Sequence, residues 1–125
     1  MDREDVKAWL DNYIEAWRTY DSSKIGDLFS EDAHYLYSPF DENDPVRGRK
    51  AIVANWLANR DVPDSWEARY EPVAVDGHIG VAQGRTRYLR TDGTVEREYA
   101  NIFILEFDED GRCMHFTEVY MKAIK

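Results

Sequence analysis

"WEARYEPVAVDGHIGVAQGRTRYLRTDGTVEREYANIFILEFDEDGRCMHFTEVYMK", residues 66–122, decides the fold. Three Asp-Gly pairs, Asp76-Gly77, Asp92-Gly93 and Asp110-Gly111, break it into runs rich in Val, Ile, Tyr, Phe and Thr. Asp-Gly suits the positive backbone angles of tight hairpin turns, so each pair is a turn signal with a mechanism behind it. The spacing predicts strands over 66–75, 78–90, 95–107 and 112–122, joined as a meander. At about 3.3 Å per residue the longer runs reach roughly 40 Å, so the sheet has to twist and curl.

The first half reads as helical. Val6, Trp9, Leu10, Tyr13, Ile14 and Trp17 recur at three- and four-residue spacing, which sets them on one helical stripe. Asp2, with Asp5 three residues on, makes a fair N-terminal cap. "DSSKIGDLFSED", residues 21–32, starts a second, short helix with capping groups at Asp21 to Ser23 and apolar contacts from Ile25, Leu28 and Phe29. "AHYLYSPF", residues 33–40, looks like a strand stopped by Pro39 and the acidic loop "DENDP". A third helix after Gly48 presents Ile52, Val53, Trp56 and Leu57, and Pro63 bars its continuation. The expectation is an α+β domain over 1–125, a cone-shaped curled antiparallel sheet packed with three helices from the N-terminal half. The interior of such a cone is a natural small-molecule site.

Bulk properties narrow the function. The net charge of −9 argues against nucleic acid and anionic membranes as partners, because both need Lys and Arg to meet phosphate. Cys113 is the only cysteine, so no intramolecular disulfide forms. The charged, amphipathic start "MDREDVKAWLDNY" lacks the apolar core of a signal peptide, and a cytoplasmic location is expected. No Gly-rich phosphate loop appears, and His34, His78 and His115 are not spaced as metal ligands, so no cofactor and no metal are expected. Gly80 and Gly84 mark curvature or close packing in the sheet.

The last strand carries the functional question. Read with a period of two, one face presents Met114, Phe116, Glu118 and Tyr120, which sets an acid among aromatics on the side that ought to be buried. Burial raises a carboxyl pKa towards working pH and suits it to general acid or base work. The plain alternative is that Glu118 is paired with Arg85 or Arg87 on a neighbouring strand, or reaches water at the rim. Asn101 shares a face with Tyr99 and Phe103, where its amide can bond a ligand carbonyl, orient Glu118, or simply satisfy the backbone. Tyr35 and Tyr37 share a strand face as donors to a substrate oxygen or as wall. Trp17, Trp56 and Trp66 line or roof the hollow, or fill the core, and Trp9 has no reading beyond core. Arg87, in "GRTRYLR", is a candidate for polarising a substrate oxygen.

Three segments, "AWRTYDSSKIGDLFSEDAHY", "PVRGRKAIVANW" and "EYANIFILEFDEDGRCMHFTEVY", resemble the nuclear transport factor 2-like superfamily, and within it the SnoaL-like polyketide cyclase group. The resemblance spans essentially the whole chain and implies the cone fold. That superfamily includes ketosteroid isomerases, scytalone dehydratases, limonene epoxide hydrolases and cyclases, along with members that only bind or associate, so the fold alone does not give an activity. In the cyclase and epoxide-hydrolase branches an acid on the last strand faces the pocket as a base, and Glu118 stands in the matching place, with Glu where Asp is more usual. The acid-Arg-acid set of the epoxide hydrolases has no counterpart in "GRTRYLR", and the His that accompanies the base in cyclases is replaced by Tyr99 and Asn101. Ketosteroid isomerases pair a Tyr with a protonated Asp as oxyanion hole; Tyr13 can supply the former.

Two functions therefore stay open. One is a cofactor-independent isomerase, cyclase, dehydratase or epoxide hydrolase using Glu118 as base on a small apolar ring compound. The other is a non-catalytic ligand-binding or dimerisation module of the same fold. Glu96, Glu98, Ala100, Ile102 and Ile104 form the outer face of their strand, and the exposure of the two isoleucines in a monomer predicts a homodimer through the sheet.

Overall fold

The structure, a computed structural model, describes residues 1–124. In chain order it contains α1 (Arg3–Thr19), α2 (Ser22–Asp27), β1 (Phe29–Leu36), a 3-10 turn (Pro39–Asp41), β2 (Val46–Arg47), α3 (Arg49–Ala58), β3 (Trp66–Asp76), β4 (Ile79–Leu89), β5 (Val95–Phe107) and β6 (Cys113–Lys122). The first helix is closed at its start by a reciprocal capping box, with the Asp5 amide donating to Asp2 Oδ1 at 2.9 Å and the Asp2 amide to Asp5 Oδ2 at 3.0 Å. Val6, Trp9, Leu10, Tyr13, Ala16 and Trp17 form its buried stripe.

The strands make one curled, unclosed sheet in the order β2-β1-β6-β5-β4-β3. The three Asp-Gly pairs are its hairpin turns, with Gly77, Gly93 and Gly111 at φ 60°, 86° and 79°. Register shifts near Pro72, Tyr88 and Glu106 add local twist. Gly84 bends the sheet by what it lacks. A Cβ there would lie 1.9 Å from the Arg69 carbonyl oxygen and 2.5 Å from the Tyr70 ring, so the Tyr70 side chain occupies the space that any other residue would fill. Inside the curl, α1 and α3 bury an aromatic core that includes Trp9, Phe29, Phe103, Phe107 and Phe116.

Two expectations need correcting. The sheet is mixed rather than antiparallel throughout, because β1 runs parallel to β6 with Tyr35 opposite Phe116. Side-chain periodicity reports which face a residue takes, not which strand lies beside it, and this pair is separated in sequence by α3 and the whole meander. Phe29 belongs to β1, not to the second helix. The Leu28 carbonyl accepts from the Cys113 amide at 2.8 Å and the Phe29 carbonyl from Arg49 Nε at 2.9 Å, which draws the chain into the sheet directly after Asp27. Among the described residues no helix is long and apolar enough to cross a membrane.

Candidate functional site

A cavity of about 370 Å³ lies between the concave side of the sheet and the ends of α1 and α3. Glu118 of β6 faces into it, half-buried. The cross-strand register explains how it is held. Glu118 stands opposite Phe103 on β5, with Asn101 two residues along on the same face. Asn101 Nδ2 donates to Glu118 Oε2 at 2.7 Å. The amide is fixed from its other side by Thr86 of β4, whose hydroxyl donates to Asn101 Oδ1 at 2.9 Å, and the Tyr70 hydroxyl of β3 lies 2.6 Å from Thr86 Oγ1. Since Thr86 spends its proton on Asn101, Tyr70 must donate to Thr86. The result is a directed relay across four strands, from Tyr70 through Thr86 and Asn101 to Glu118.

Burial lifts the Glu118 carboxyl to about 6, opposed by the hydrogen bond from Asn101. No arginine or lysine pairs with it among the described residues. Its second oxygen, Oε1, accepts no hydrogen bond, and since no buried side-chain oxygen or nitrogen lacks a partner, Oε1 must stay reachable from the cavity. Around it, Tyr13 and Tyr35 approach one another at 3.5 Å between hydroxyls. Burial holds both phenols well above their ordinary pKa, and it lifts Tyr37 to about 12, so all three are neutral donors at any ordinary pH. The Glu118 charge adds to each of these upward shifts.

The rim is built by the chain leaving α3. Tyr20, in the left-handed region at φ 51°, caps α1, and its hydroxyl accepts from the Asp61 amide at 2.8 Å. Asp61 Oδ2 in turn accepts from Trp17 Nε1 at 2.9 Å. Trp17 lines the cavity and stacks on Trp66 at 3.5 Å between ring centres. Tyr37, just past the end of β1, donates to Asn55 Oδ1. Tyr99, Tyr120 and Arg97 complete the opposite lip.

Of the residues singled out from sequence, Glu118, Asn101, Tyr13, Trp17, Tyr35, Tyr37, Trp56, Tyr99 and Tyr120 therefore face one hollow. Three do not. Phe103 and Phe116 are fully buried beneath its floor, where Phe116 stacks on Tyr35 at 4.3 Å. Arg87 lies on the outer face of the sheet, between Glu98 at 2.8 Å and Glu67 at 3.5 Å, because the register sets Glu67, Arg87 and Glu98 side by side. The arginine-paired alternative for Glu118 falls with it. Thr86, Tyr70 and Tyr88 were not singled out. The alternation in "AQGRTRY" separates Gln83, Arg85 and Arg87 from Gly84, Thr86 and Tyr88, and Tyr70 stands opposite Gly84 on β3. Arg97 shares the phase of Tyr99 and Asn101. Asn59, Asp61 and Tyr20 reach the cavity by tertiary contacts that no local pattern announces.

With that geometry in place, the sequence model for the SnoaL-like domain matches residues 10–116. The chain belongs to the SnoaL-like domain family. The matched span stops two residues short of Glu118, so membership carries the fold and not the acid. A search of curated proteins gives no match. Among solved structures, an "NTF-2 like protein of unknown function" from Burkholderia xenovorans LB400 superposes with TM-score 0.71 at 18% identity, over 98% of this chain and 87% of that one. The "putative ketosteroid isomerase" of Kribbella flavida DSM 17836 superposes with TM-score 0.69 at 17% identity, over 99% of this chain and 83% of that one. At such identities the likeness is one of fold.

Proposed function

We propose that this SnoaL-like protein is a cofactor-independent proton-transfer enzyme, with Glu118 as general base on a small, largely apolar ring compound bearing a carbonyl. One arrangement supports the reading above the rest. A carboxylate without a cationic partner faces an aromatic cavity, one oxygen held by Asn101 and the other open. Glu118 Oε1 takes a proton from the carbon beside the carbonyl. The C–H electron pair enters the new C=C bond, and the negative charge moves to the carbonyl oxygen. A neutral phenol, Tyr13 or Tyr35, donates a hydrogen bond to that oxygen as charge builds. Return of the proton to a different carbon completes an isomerisation; attack of the enolate carbon on a second carbonyl closes a ring instead, and the alkoxide so formed takes the proton back from Glu118. Asn101 acts by positioning, since its amide is engaged by Glu118 and Thr86.

The test is conversion of a β,γ-unsaturated cyclic ketone to its conjugated isomer, followed by absorbance. Glu118→Gln keeps the shape and the bond from Asn101, and a drop of about a hundredfold or more in kcat is expected from loss of the base. A Glu118→Gln rate within a few-fold of wild type removes Glu118 from that role.

A second reading concerns assembly. On the outer face, Ile104 stands opposite Val81 on β4, Ile102 opposite Val119 on β6, and Ala100 opposite Met121. Ile102, Ile104, Val119 and Met121 are all exposed. We propose that this strip pairs with the same strip on a second copy, giving a homodimer of the ligand-binding fold. Sedimentation at micromolar concentration is expected to give a dimer that Ile104→Lys converts to monomer; a wild-type monomer refutes the pairing.

A further inference from the structure

Among the described residues, Arg97 is the only cationic side chain that lines the cavity. Its guanidinium lies over the Tyr88 ring at 4.1 Å and within 5.8 Å of the Tyr99 ring, and one Nη donates to the Tyr99 hydroxyl at 3.0 Å. Stacking fixes its plane and the Tyr99 bond fixes one edge. A guanidinium has five N–H donors, so most of its donor fork is left to face the opening. Arg97 has no carboxylate within 4.0 Å among the described residues, so its remaining donors are not spent on an internal ion pair. Asp61 also lines the cavity, yet its carboxylate is turned to Trp17 and Tyr20.

We infer that Arg97 reads an anionic group on the ligand, and that the natural ligand is an elongated aromatic monocarboxylate whose carboxylate docks at the rim while its far ring reaches Glu118. The inference rests on the proposed use of this cavity by a ring compound, though not on chemistry at Glu118. Arg97 and Asn101 are four residues apart on one face of β5, so their backbones stand roughly 13 Å apart at about 3.3 Å per residue, with Glu118 held at the Asn101 end. Two linked or fused rings fill that length. The wall between is aromatic, made by Tyr88, Tyr99 and Tyr120, whose rings meet edge to face. A planar guanidinium matches a carboxylate edge to edge. A dianionic phosphate fits poorly, because one arginine would face two charges while Asp61 and Glu118 repel them from the same cavity.

Calorimetric titration with biphenyl-4-carboxylate and its methyl ester tests this without requiring turnover. Wild type is expected to bind the acid about tenfold or more tighter than the ester, the usual size of a charged hydrogen-bonded contact. Arg97→Gln should abolish that preference, leaving acid and ester equal in affinity, while Arg97→Lys, which keeps charge but loses the fork, should fall between. Glu118→Gln should bind the acid at least as well as wild type. Equal affinity for acid and ester, a preference that survives Arg97→Gln, or no binding of either compound overturns the inference. Failure of Glu118 as base would appear in the ketone assay alone, so the two failures are separable.

Discussion

Asn101 holds Glu118 by its nitrogen, and it can do so only because Thr86 claims its oxygen. A 180° turn of the amide would set Oδ1 against the carboxylate and leave the Thr86 proton facing an NH₂ that cannot accept it. The amide orientation is thus set from β4, two strands away from the acid that benefits.

Thr86→Val keeps the shape of the side chain and removes both functions of the hydroxyl. Asn101 Oδ1 and the Tyr70 hydroxyl then lose their partners while buried, at about 1–3 kcal/mol for each orphaned group. Chemical denaturation should show a loss of about 2 kcal/mol or more, and Thr86→Ser should restore most of it. Equal stability of the valine variant would mean that the relay carries no weight.

Gly84→Ala should be worse than its single methyl group implies. The added Cβ meets backbone at 1.9 Å and the Tyr70 ring at 2.5 Å, so strand β3 has to move. Overpacking of this kind costs about 1–3 kcal/mol, occasionally more, and a loss of about 3 kcal/mol is expected by urea titration. Proton-transfer activity should fall too, since Tyr70 anchors the relay.

Stability should fall as Glu118 ionises. Its carboxyl sits at about 6 in the folded protein against 4.5 for an unburied side chain, so the folded state binds the proton more tightly. The associated stabilisation is complete below the unfolded value and is lost as pH rises through the folded one. At about 1.4 kcal/mol per pH unit, the loss between about pH 4 and about pH 7 is on the order of 2 kcal/mol. Glu118→Gln lacks this loss, so its stability relative to wild type should improve by that amount across the same interval. A difference that does not vary with pH would count against burial of the acid.

Much of this was legible in the sequence. The Asp-Gly turns and the stripe from Val6 to Trp17 set the meander and the helix, since both signals are local and each has a backbone cause. The inward phase of β6 followed from aromatics alternating about Glu118. Arg87 and Thr86 show where such reading stops. On a strand with polar residues on both faces, charge alone does not say which side is wet, and the deciding facts are the acids Glu67 and Glu98 on the flanking strands. The parallel pairing of β1 with β6, and the folding of Asp61 over the rim onto Tyr20, are contacts between distant segments that leave no periodic trace.

Carbon NMR of protein labelled at the glutamate carboxyl carbon, titrated with pH, tests the account most directly, because it needs no substrate. Glu118, assigned by its absence in Glu118→Gln, should titrate with a midpoint near 6, the value set by burial against the bond from Asn101. A midpoint at or below the ordinary glutamate value of about 4.3 would place that carboxylate in water or beside a cation, and the proposed base would be lost.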